Sequence, residues 1–66
     1  MDAYREAQRL YAEAMLSTAT GQERIAVLQE TLQRIGDLVP QATPDERAAV
    51  LLMNSSITQL IAGESR

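Results

Sequence analysis

The sequence predicts an all-α fold: a small three-helix bundle, antiparallel and self-associating, with helices near 2–17, 21–38 and 44–62. Three observations predict it. Apolar residues recur at alternating steps of three and four along three segments, the spacing that lines one face of a helix. Two breaks rich in small residues, glycine and proline divide those segments, and each ends in a helix-start signature. No run alternates at period two for long enough to compete as a strand.

In the first helix Tyr4, Ala7, Tyr11, Ala14 and Met15 share a face flanked by Leu10. The tyrosines are seven apart on that stripe, which makes them core residues with their hydroxyls at the rim. The first break, Ser-Thr-Ala-Thr-Gly over 17–21, closes with Thr20 followed three residues later by Glu23. That pair is the pattern of a capping box, in which each side chain satisfies the other residue's free N–H. The second helix carries Ile25, Leu28, Leu32, Ile35 and Val39. Gly36 weakens its last turn, which is expected to fray while still taking Leu38 and Val39 into the core. Helicity should be lost before Pro40, because a residue preceding proline avoids the α region. The second break, 36–44, ends in Thr43-Pro44-Asp45-Glu46. This is the stronger start: threonine at the cap, proline at the first helical position and acid near the positive end of the helix dipole. The third helix then carries Val50, Met53, Ile57, Leu60 and Ile61, with Asn54 at the edge of the face as a solvated boundary residue.

Composition removes several function classes. Sixty-six residues, 7.3 kDa, allow one domain over 1–66. Without cysteine or histidine there is no disulfide framework, and zinc, haem and iron–sulfur sites lack their usual ligands, so neither a cofactor nor a metal site is expected. With lysine absent too, the inventory of nucleophiles and general bases is thin, and no residue is singled out as catalytic or cofactor-binding: the expectation is a non-enzyme. A net charge of −3 and a pI near 4.6 argue against nucleic acid. A helix-turn-helix DNA-binding protein remains the minor alternative, resting on Arg5 and Arg9 on one helix and Arg24 and Arg34 on another. The longest unbroken apolar run is Ala48–Met53, far short of the ~20 residues of a membrane span. No basic-then-apolar opening of a secretory signal is present, which together with the missing cysteines predicts a cytoplasmic location. Exclusive use of arginine as the cation suggests a bacterial coding background.

The remaining signal is excess apolar surface. Twenty residues are large and apolar and ten more are alanine, yet a chain of this size buries only about 60% of its unfolded surface. Proteins this small usually need disulfides, a metal or association to be stable, and association is what the composition leaves. On the third helix Leu51 projects about 100° to one side of the core stripe and Leu52 falls almost opposite it, with Ala48 nearby. Leu16 and Val27 are similar off-stripe residues standing alone. The expected interface is therefore Ala48, Leu51, Leu52 and Leu16, facing a protein partner or a second copy. The expected function is non-enzymatic protein–protein interaction by a small acidic regulator, co-chaperone or assembly adaptor. The alternative within that class is a docking module joining larger proteins.

Overall fold

Asp2 starts the first helix: its Oδ1 accepts the N–H of Tyr4 at 3.0 Å, satisfying a donor that the first turn cannot. α1 then runs Ala3–Leu16, α2 Gly21–Leu38 and α3 Pro44–Glu64, with a 3-10 turn at Val39–Gln41 between the last two. These elements come from a computed structural model that describes residues 2–64. Met1, Ser65 and Arg66, which the single-domain expectation over 1–66 includes, lie outside the described residues. Among the described residues there are three α-helices and no strand, an all-α three-helix bundle.

The two helix starts read from the sequence behave differently. At Thr43 the cap forms: its Oγ1 accepts the Glu46 N–H at 3.3 Å and donates to the Glu46 carboxylate at 2.9 Å. At Thr20 the position is right but the side chain makes no capping bond, so the expected capping box with Glu23 is absent. The reason lies next door. Gly21 enters the helix at φ +59°, in the left-handed region, so the first turn does not offer its N–H groups to the Thr20 hydroxyl as an ordinary start would.

The end of α2 also departs from expectation. The helix passes through Gly36 to Leu38, and Val39 keeps α geometry (φ −54°, ψ −49°) directly before Pro40. Proline needs no N–H at the start of a 3-10 turn, so Pro40 costs no hydrogen bond there. The N–H of Ala42 closes the turn on the carbonyls of Leu38 (3.1 Å) and Val39 (3.2 Å). Leu38 and Val39 do pack against the core, and that contact offsets the preference against helix before proline.

The helices run up, down and up. Arg24 near the start of α2 bonds Glu64 at the end of α3, and Gly36 lies beside Asn54, which fixes α2 and α3 as antiparallel. Leu10 and Ala14 of α1 line one groove with Val27 and Thr31 of α2, and Glu6 near the start of α1 feels the charge of Arg34 near the end of α2, the same antiparallel sense. α2 is the middle helix, touching both neighbours more than they touch each other. The core consists of Ala3, Ala7, Leu10 and Ala14 from α1, Leu28 and Ile35 from α2, Val50 and Ile57 from α3, and Ala42 from the turn. Thr31 is buried among them, its hydroxyl spent on the Val27 carbonyl at 2.8 Å.

The tyrosines of α1 hold their expected place against the core, and Asn54 does not hold its own. Along α1 the alanines and Leu10 hold the buried centre while Tyr4 and Tyr11 are half-buried at its edge, because small residues let α1 approach α2 closely. The Tyr4 hydroxyl accepts from Gln8 at 3.0 Å. Asn54 is not a solvated boundary residue: its Oδ1 is buried with no hydrogen-bond partner, and its Nδ2 lies where a Cβ on Gly36 would come within 3.6 Å. The amide thus lies between α2 and α3, beside Gly36.

Candidate interaction face on the third helix

α3 is the most apolar of the three helices and the least amphipathic. Its inward residues account for only part of that. Val50 and Ile57 are fully buried, with Met53, Leu60 and Ile61 packed around them. On the opposite side Leu51 is 49% exposed and Leu52 69% exposed, and Ala48 is exposed beside them. From Ala48 to Gly63 the chain carries no charged residue at all. A solvated helix face ordinarily carries charge, so an outward face without any is one that resembles an interior.

Helical geometry orders this face into rows. Ala48, Ser55 and Ala62 are seven apart, so they form a nearly straight row of small, exposed residues. Leu51 and Thr58 make a second row on one flank, and Leu52 and Gln59 a third on the other. Thr58 is satisfied within its own helix, its hydroxyl donating to the Asn54 carbonyl at 3.0 Å. It can be covered without stranding a polar group.

Ala48, Leu51 and Leu52 are thus brought together, whereas Leu16 is set apart. Leu16 is 82% exposed at the end of α1, the end of the bundle where α2 begins and α3 finishes. It stands about 18 Å along the axis from Leu52, at a rise of roughly 1.5 Å per residue. Val27 is not free: it packs against the core and lines the α1–α2 groove. Ser55, Thr58, Gln59 and Ala62 were not among the interface residues expected from the sequence, although they continue its rows. The seven-residue recurrence and the charge-free span were the signal that could have found them.

Among the described residues every arginine but Arg47 lies beside a carboxylate, so no basic face is left in compensation. Arg9 pairs with Glu6 and, at 2.6 Å, with Glu13; Arg24 pairs with Glu64 at 2.8 Å and Arg34 with Glu30 at 3.6 Å. Arg5 lies 3.9 Å from Asp2. The Arg9 hydrogen bond holds the Glu6 carboxyl below its ordinary value, and the same contact raises Arg9. Among the described residues no three acidic, histidine or cysteine side chains converge as a metal site would require. A half-open groove of 170 Å³ between α1 and α2 is lined by Leu10, Ala14, Val27 and Thr31, with Glu13, Glu30 and Arg34 around it. It falls below the ~300 Å³ at which small-molecule sites begin. No described helix is long and apolar enough to cross a membrane.

No protein-family profile, curated protein or solved structure matches this chain.

Proposed function

We propose that this chain is a cytoplasmic, non-enzymatic protein–protein interaction module that works through the outward face of α3. The observation that carries the proposal is the pair Leu51 and Leu52, 49% and 69% exposed on a helix with no charge from Ala48 to Gly63. Covering each leucine stabilises a complex by roughly 1–2 kcal/mol, since burying a whole leucine is worth about 1.5–3. The small residues between them allow a partner helix to approach closely, and close approach multiplies the weak contacts that hold helices together. Support for a role without chemistry comes from Arg9, Arg24 and Arg34, which are spent on ion pairs along the bundle surface, and from the small size of the α1–α2 groove.

The test is co-purification from a native cell extract on immobilised chain, comparing the wild type with the Leu51→Glu/Leu52→Glu variant. Both positions point outward, so the variant is expected to keep its helical circular dichroism while losing the proteins that the wild type retains. Identical retention by the two chains would overturn the proposal.

A further inference from the structure

Resting on that proposal, we infer that the occupant of the α3 face is a second copy of this chain, packed with its α3 parallel to the first about a two-fold axis. Three features of the strip lead there. The row Ala48, Ser55, Ala62 is opposite the buried residues of α3, so two copies can meet along it with their own bundles pointing away from each other. Small residues in the seam bring the two helices close, as coiled-coil geometry allows when the spacing is seven.

The flanks are self-complementary. A two-fold parallel to the helices sets the left flank of one strip against the right flank of the other. Leu51 then meets the partner's Leu52 at the same level, twice, making a cluster of four leucines beside Ala48. Thr58 meets the partner's Gln59 in the same way one heptad on. An antiparallel pair would instead place each leucine against Thr58 or Gln59, leaving the leucines apart.

Charge points the same way. The chain carries −3, which opposes self-association in general, but the strip itself contributes no charge to the contact. At its start Asp45 and Arg47 are both exposed, two residues apart and therefore about 80° to either side of the seam. Neither makes an ion pair within the chain among the described residues; the Arg47 guanidinium donates to the Ala42 carbonyl at 3.2 Å. The parallel two-fold brings Asp45 of each copy to the side of the partner's Arg47, giving two complementary ion pairs at the rim. The strip from Ala48 to Gly63 is about 24 Å long and one helix wide. Such an area lies at the small end of specific interfaces, so the dimer is expected to exchange with monomer rather than persist at high dilution.

The chain has no cysteine, so single-cysteine variants report directly on this arrangement. Ala48→Cys, Ala62→Cys and, as a control on the exposed side of α2, Gln33→Cys are each oxidised mildly with oxidised glutathione. The expected result is a covalent dimer from Ala48→Cys alone and from Ala62→Cys alone, with Gln33→Cys remaining single. If the two link only when mixed, Ala48 to Ala62, the parallel two-fold is wrong. If no variant links beyond the control, the second copy is not the occupant. In that case Leu51- and Leu52-dependent retention from extract would show the α3 face still serving a different protein, so the two proposals fail separately.

Discussion

Thr43 and Thr20 occupy the same place in two helices, yet only one of them caps. Thr43→Ala removes a hydroxyl that holds the Glu46 N–H and the Glu46 carboxylate. It should cost about 1 kcal/mol in urea or thermal denaturation. Thr20→Ala removes no cap bond and should cost markedly less; equal costs would mean that the Thr20 hydroxyl does cap in solution. Both threonines were legible in the sequence as helix starts, and both starts are real. Whether the bond forms was not legible, because it depends on the φ of Gly21, a backbone choice that the letters permit without requiring. Glu6 gives a second check at this scale. Its hydrogen bond from Arg9 lowers the carboxyl from an ordinary 4.5, so its contribution to stability is complete above that value and lost as pH falls through the lowered one. The pair is exposed and the contribution small. A carbon-detected NMR titration should place the Glu6 midpoint below 4.5, and Arg9→Gln should return it towards 4.5; no movement would remove the Arg9 contact from the account.

At the scale of elements, the α2–α3 pair holds the most telling detail. Gly36 is helical with an ordinary negative φ, and a Cβ there would meet Asn54 Nδ2 at 3.6 Å, a normal contact. Gly36→Ala should therefore stabilise the fold by about 0.5–1 kcal/mol through helix propensity, read as a higher urea midpoint with unchanged slope. Destabilisation would mean that the Asn54 amide needs more room than that distance shows. The three stripes and both breaks were visible in the sequence, since helical period and turn chemistry are local. The burial of Asn54, the inward turn of Thr31 and the ion pair from Arg24 to Glu64 were not, because each depends on which residue of another helix arrives opposite. The α1 stripe was found with Leu10 as its flank, whereas close packing puts Leu10 at its buried centre with the alanines and leaves the tyrosines at its edge.

For the whole molecule the question is what three short helices leave uncovered. The accessible surface is 4495 Å², against about 4200 Å² expected of a folded monomer of this mass. The excess is modest, and what matters is its character. The apolar residues of α3 point both inward and outward, and its outward side lacks the charge that keeps a helix face in water. That much was legible: Ala48, Leu51 and Leu52 follow from helical angles alone. Leu16 was grouped with them because a single sequence shows exposure more readily than position along a bundle, and the topology places it at another level.

The most direct measurement is sedimentation equilibrium of the wild-type chain and of Leu52→Glu over a wide range of concentration. The wild type should rise from 7.3 kDa towards twice that mass as concentration increases, while Leu52→Glu, still helical, stays at the mass of one chain. A wild type that keeps the mass of one chain at every concentration, or a variant that associates just as strongly, would contradict the assignment of the α3 face to a second copy.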